Sequence, residues 1–150
     1  MNRILYQMDN LDMMRGLENA TIDLIATDPP FNKGRDFHGS TGSSMEEATF
    51  TDRWRNAPVP EDWITAVASH APSARVILDG IGETQPQTRA YLYFIGVRLI
   101  EMRRILKPTG SLFLHCDDTA NGYLRVLLDL IFGVKNLRNC LLYTSPSPRD

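Results

Sequence analysis

The chain reads as an α/β domain built on a parallel sheet with helical crossovers. Two short runs, Ile22–Thr27 and residues 111–114, are nearly all apolar at their centres, as strands buried on both faces of a parallel sheet are. Between and beyond them, apolar residues recur every three or four positions, the spacing of helices. Breaks rich in proline, glycine and aspartate separate the two patterns. Strands that alternate with helices are joined by crossovers, and crossovers make neighbouring strands parallel.

Each element follows from its residues. Residues 4–8 (Ile-Leu-Tyr-Gln-Met) predict a first short strand. Asp9-Asn10 supplies turn or cap chemistry for a helix over 11–17, with Leu11, Met14 and Leu17 on one face. Ile22–Thr27 predicts the second strand, ended by Asp28-Pro29-Pro30 because proline cannot continue a central strand. Residues 32–60 are rich in Gly, Ser and charge without a period, and predict a long loop. Pro60-Glu61-Asp62-Trp63 opens a helix. Residues 77–88 contain Gly80 and Gly82 and predict a bend. The longest helix covers 89–106, through Leu92, Ile95, Leu99, Met102 and Leu106, with Arg98, Arg103 and Arg104 on a solvated side. Lys107-Pro108-Thr109-Gly110 ends it, and residues 111–114 form a third strand. Asp117-Asp118-Thr119 caps a last helix that carries Tyr123, Leu124, Leu127, Leu128, Ile131 and Phe132 and closes at Gly133.

Composition sets the outer bounds. The 150 residues suit one domain; 43% are hydrophobic and 23% charged, which argues against global disorder. Two cysteines, Cys116 and Cys140, are too few for a disulfide framework and suit a reducing compartment. A formal net charge of -2 excludes a strongly basic coat, though not a local basic groove. No apolar run approaches the roughly 20 residues that span a bilayer, and the N-terminus lacks a signal-peptide pattern. The reading is a cytoplasmic protein without a membrane partner.

In open parallel sheets the ligand site lies beyond the carboxyl ends of the strands. Asp9, Asp28 and His115-Cys116-Asp117 all fall at such ends. The most informative stretch is Thr27-Asp28-Pro29-Pro30-Phe31-Asn32. Two prolines hold the backbone extended and offer no N–H, so the local polar groups are mainly acceptors. Phe31 adds a flat apolar face. Acceptors beside an aromatic plate suit a planar ring that bears an exocyclic amine. His115, Cys116 and Asp117 are adjacent and alternate across a strand, so they do not read as a metal site. His38 and His70 read as loop or surface residues, and Trp54 and Trp63 as packing anchors.

Asp28-Pro29-Pro30-Phe31 resembles the catalytic tetrapeptide of the DNA amino-methyltransferases, Asp-Pro-Pro-Tyr/Phe. The chain looks like the branch whose catalytic motif precedes its cofactor motif. Met8-Asp9-Asn10-Leu11 resembles that branch's Gly-Asp-Asn-Leu segment. Residues 106–117, 123–133 and 136–139 resemble the blocks that follow, so the likeness covers about residues 2–139. The resemblance implies a partial Rossmann-like, S-adenosylmethionine-dependent methyltransferase fold that acts on adenine N6 or cytosine N4. Asp in the first motif position favours adenine. By this likeness Asp28 and the Pro29 carbonyl bind the target amine, Pro30 keeps the turn rigid, and Phe31 stacks on a base flipped out of double-stranded DNA. Asp9, with Asp28, lies near the cofactor. Lys33, Arg35 and His38 sit in the loop after the motif and read either as contacts to DNA phosphates or as a solvated loop. A restriction subunit is a further partner of such systems.

The chain also departs from the family pattern. It carries no glycine-rich turn after a strand; Gly39-Ser40-Thr41-Gly42-Ser43 follows none. Residues 1–139 therefore read as the catalytic-motif half of a methyltransferase domain, inactive alone. Residues 140–150 resemble the peptide encoded by one frame of a common transposon-based sequencing adapter and read as a non-native tail. Other readings are methylation of cytosine N4, an RNA base or a protein glutamine, or a non-catalytic nucleic-acid-binding domain of the same fold.

Overall fold

The computed structural model describes residues 4–32, 36–38, 49–51, 54 and 58–141. In chain order these form α1 (Asn10–Arg15), β1 (Ile22–Thr27), β2 (Asp36–His38), β3 (Thr49–Thr51), α2 (Glu61–His70), α3 (Pro72–Gly82), α4 (Pro86–Ile105), β4 (Leu106–Leu114) and α5 (Asn121–Phe132), with a 3-10 turn at Val134–Asn136. β1 and β4 pair in parallel, with Ile25 opposite Leu112 and Thr27 opposite Leu114. The α/β class and the helical crossover are as the sequence implies.

Only one face of that strand pair is covered among the described residues. Ile25, Leu112 and Leu114 pack against the helical core. Successive residues point to opposite faces, so Leu24 and Phe113 are 58% and 63% exposed. Burial of β1 on both faces, expected from its apolar run, is therefore not found. Residues 4–8 are no strand either. They join no ladder among the described residues, and Leu5 is almost fully exposed.

The long loop over 32–60 contains a short antiparallel pair, β2 with β3, in which Phe37 lies opposite Phe50. The bend expected within 77–88 falls at 83–85, between α3 and α4; residues 77–82, with Gly80 and Gly82, still belong to α3. Gly82 serves packing there, since a Cβ at that position would collide with the Arg89 side chain. The strand after α4 begins at once, at Leu106, which pairs with Ile22. Lys107-Pro108-Thr109-Gly110 is an irregular excursion inside β4, because the register jumps from Ile22↔Leu106 to Leu24↔Ser111. Gly110 allows it: a Cβ there would sit 3.1 Å from the Ile22 carbonyl oxygen and 2.8 Å from Leu106.

Helix α4 is the hub of the core. Leu92, Ile95, Leu99 and Met102 are buried as their spacing predicts, but so are Tyr91, Tyr93, Val97 and Ile105. A helix enclosed on nearly all sides has no solvated stripe. The expected solvated arginine side is thus reduced to Arg103. Arg104 turns inward and donates to the carbonyls of Met14 (2.7 Å) and Leu17 (2.8 Å), which ties α4 to the end of α1. Arg98 is 5% exposed. Gly96 faces Val67 of α2 and Leu127 of α5, whose side chains lie 3.7 and 3.8 Å from where its Cβ would be. Trp54 and Trp63 stack at tilted angles on Phe94, so both anchor packing. Asp117 does not cap α5. Its carboxylate receives Thr119 N–H and Oγ1, a local turn that delivers the chain to Ala120, the residue before the helix. Gly133, at φ +90°, ends α5.

A polar clamp joins α3 to α4. The Asp79 carboxylate accepts from Arg89 Nε and Nη2 (3.1 and 2.8 Å), Tyr93 Oη (3.0 Å) and Arg75 Nε (3.3 Å). Burial and then the hydrogen bond to Asp79 push the Tyr93 phenol up to about 12. An unfolded tyrosine releases its proton near 10. Between these values the unfolded state holds fewer protons, so stability falls as pH rises. Urea midpoints should hold steady to about pH 10, then drop toward a loss of about 3 kcal/mol by pH 12. Tyr93→Phe should flatten that decline. An equally steep decline in the variant would contradict the assignment.

Candidate active site at the carboxyl ends of the paired strands

The ladder between β1 and β4 runs one rung past the strands: His115 N–H donates to the Thr27 carbonyl at 2.9 Å. Residues opposite each other in a parallel pair point to the same side, about 4.8 Å apart. The next side chains are therefore Asp28 and His115, and Asp28 Oδ1 lies 2.8 Å from His115 Nδ1. Pro29 and Pro30 fix the backbone that leaves the strand, and Asn32 turns it with a positive φ of 63°. The Phe31 ring meets the His115 ring edge to face, centroids 5.4 Å apart and planes at 81°. One imidazole thus touches both the acid and the aromatic residue of the tetrapeptide.

A cavity of about 270 Å³ opens beside this turn. Thr27, Asp28, Pro29 and Pro30 form one wall, and Asp9 and Asn10 at the start of α1 form the second. Ile95, Leu99, Met102 and Leu114 supply an apolar floor. Phe31 and His115 stand outside the cavity lining. Four residues that the sequence singled out, Asp9, Asp28, Pro29 and Pro30, therefore share one concavity.

Asp9 caps α1 and also lines the cavity. Its Oδ1 accepts from Leu11 N–H at 2.8 Å. Arg98 Nη2 donates to both carboxylate oxygens at 2.8 Å. Arg98 also donates to Asn10 Oδ1 (2.9 Å) and to the Phe94 carbonyl (3.0 Å), with its guanidinium 3.5 Å over the Phe94 ring. Burial draws the Arg98 pKa down, opposed by the Asp9 charge; an arginine remains a cation throughout. The ion pair fixes the mouth of α1 to the middle of α4. The sequence reading missed this arginine. Its signal was position, because Phe94, Arg98 and Met102 fall on one helical stripe where a basic residue needs a partner.

Cys116 is half-buried, and burial, followed by the Asp117 charge, raises its thiol pKa, which makes it a poor nucleophile. His70 lies at the surface end of α2, as expected. Lys33 and Arg35 lie outside the described residues; the backbone of His38 is in β2, and its side chain lies outside them.

Arg98 is buried in this ion pair and Asp9 is half-exposed; removing either partner should be costly and coupled. Arg98→Ala and Asp9→Ala should each destabilise the chain by about 2–4 kcal/mol in urea unfolding. Their double-mutant cycle should give a coupling of about 1 kcal/mol or more. Additive losses would show that the pair contributes no joint stability.

A family model described as DNA methylase matches residues 22–149. Three curated relatives are type III restriction-modification enzyme Mod subunits. That of EcoPI, from Escherichia phage P1, is 29% identical over 136 residues, covering 89% of this chain. That of StyLTI, from Salmonella typhimurium, is 31% identical over 128 residues, covering 83%. That of EcoP15I, from Escherichia coli, is 27% identical over 136 residues, covering 89%. The chain spans only 18–19% of the length of these relatives. The matched region begins at β1, the strand that carries the Asp-Pro-Pro-Phe turn, and takes in α4, β4 and α5: the chain belongs to the DNA methylase family.

Proposed function

We propose that this chain supplies the amine-binding half of a DNA adenine-N6 methyltransferase that uses S-adenosylmethionine. The observation that carries the proposal is the convergence of Asp28-Pro29-Pro30, Phe31 and Asp9 at the carboxyl end of one parallel strand pair, beside a cavity. In this reading Asp28 Oδ1 is held by His115. Oδ2, which accepts no hydrogen bond among the described residues, takes one amine proton. The Pro29 carbonyl takes the other. Two acceptors on the amine protons leave the nitrogen lone pair aimed away from the protein carboxylate. Phe31 stacks on the target base once it leaves the duplex, and Lys33, Arg35 and His38 meet the DNA phosphates.

The cavity fits part of the cofactor. Drug-sized ligands occupy pockets of roughly 300–1,000 Å³, so about 270 Å³ suits one portion of such a molecule. The Asp9 carboxylate is pre-oriented by Arg98, and its Oδ2 keeps acceptor capacity for a hydroxyl group. The apolar floor suits a flat heterocycle. When bound, S-adenosylmethionine supplies an electrophilic methyl group. Residues 1–139 would then act joined to a segment that bears a glycine-rich turn, with a restriction subunit as a further partner, as the Mod relatives' names imply.

Catalysis of this kind rests on positioning and on stabilising the positive charge that develops on the amine. Asp28→Ala in a full-length polypeptide carrying this segment should lower labelled-methyl incorporation into DNA by a factor of about 100 or more. Near wild-type incorporation would refute the role of Asp28. Product analysis distinguishes N6-methyladenine, the expected product, from N4-methylcytosine. The 150-residue chain alone should bind S-adenosylmethionine no tighter than about millimolar, a free energy of about -4 kcal/mol. Micromolar binding by calorimetry would contradict the half-site reading.

A further inference from the structure

We propose that His115 is a positioning residue for methyl transfer: its Nδ1–H holds Asp28 in the orientation that receives the amine, while its ring edge holds Phe31. The inference rests on the methyltransferase reading above and adds a residue to it. An ionised carboxylate only accepts hydrogen bonds, so the ring nitrogen 2.8 Å from Asp28 Oδ1 carries the hydrogen. That selects one imidazole tautomer and commits Oδ1. The other oxygen is left for substrate.

Exposed polar contacts ordinarily contribute little, and this one is open, with side chains 64% and 70% exposed. Two features separate it from a chance surface contact. Both backbones are held, His115 by its ladder bond to Thr27 and Asp28 by the prolines that follow it. The same ring also makes the 5.4 Å edge contact with Phe31, so it links the two side chains that must act on one base. A residue that contributes little to stability can still set geometry, since a misplacement of about 1 Å costs roughly 100-fold in rate. Exposure of Asp28 and His115 also fits a group that meets substrate rather than core.

Two experiments test this. The first uses the 150-residue chain at a pH where ordinary imidazole is neutral, with long-range nitrogen-proton NMR as the readout. His115 should be the Nδ1–H tautomer, and Asp28→Ala should return it to the Nε2–H form favoured by free histidine. An Nε2–H tautomer in the unaltered chain would overturn the proposal. The second uses the full-length methyltransferase polypeptide. His115→Ala should lower kcat roughly 10- to 100-fold while leaving the KM for S-adenosylmethionine unchanged. His115→Asn, whose amide N–H can occupy the Nδ1 position, should restore most of kcat. Wild-type kcat in His115→Ala beside an inactive Asp28→Ala would overturn the positioning role alone. An active Asp28→Ala would instead overturn the methyltransferase reading on which it rests.

Discussion

The site depends on one hydrogen-bonded ladder, the parallel pairing of β1 with β4 in the register that sets Thr27 opposite Leu114. A slip of one residue in either strand would part Asp28 from His115 and turn the apolar side chains of that strand to the wrong face. The register is set by what packs beneath it. Ile25, Leu112 and Leu114 must all face the helical core, and a one-residue slip would turn those of one strand away from it. At the far end the excursion over 107–110, permitted by Gly110, absorbs the extra residues between α4 and the paired stretch. Thr21 N–H bonds to the Ile105 carbonyl there, so the ladder is tied off at both ends.

Helix α4 turns this local pairing into a site with walls. It lies behind the strands, sends Ile95, Leu99 and Met102 to the cavity floor, and delivers Arg98 to Asp9. Burying a guanidinium is expensive unless every donor finds a partner. Here Nε, Nη1 and Nη2 all do, and an aromatic face covers the rest. The network gives Asp9 a fixed orientation before any ligand arrives. Preorganisation of that kind reduces what a ligand must supply on binding.

Much of this was legible in the residues, for identifiable reasons. The bounds of β1 follow from the apolar run and the proline stop. The body of α4 follows from the spacing of Leu92, Ile95, Leu99 and Met102. The tetrapeptide is visible because proline and aromatic chemistry is local. What escaped depends on partners distant in the chain. Pro108 and Gly110 look like a helix stop before the strand until Ile22 is known to lie beside Leu106. Gly80 and Gly82 look like part of the bend within 77–88, yet α3 continues through both and the chain turns only at 83–85. Residues 4–8 have the composition of a strand, yet a strand exists only where a ladder partner does. His115 was placed at a strand end, but its pairing with Asp28 required the register. Arg98 was read as solvated because one helix cannot reveal how many neighbours enclose it.

Amide hydrogen exchange across the 150-residue chain tests the central ladder most directly. The His115 amide, which donates to Thr27, and the Thr21 amide, which donates to Ile105, mark the two ends of the pairing. Both should exchange far more slowly than in an unfolded peptide, at rates that approach those of the α4 interior. Exchange of the His115 amide at the free-peptide rate, with α4 still protected, would mean that the strands do not pair in this register and that Asp28 and His115 do not form a site.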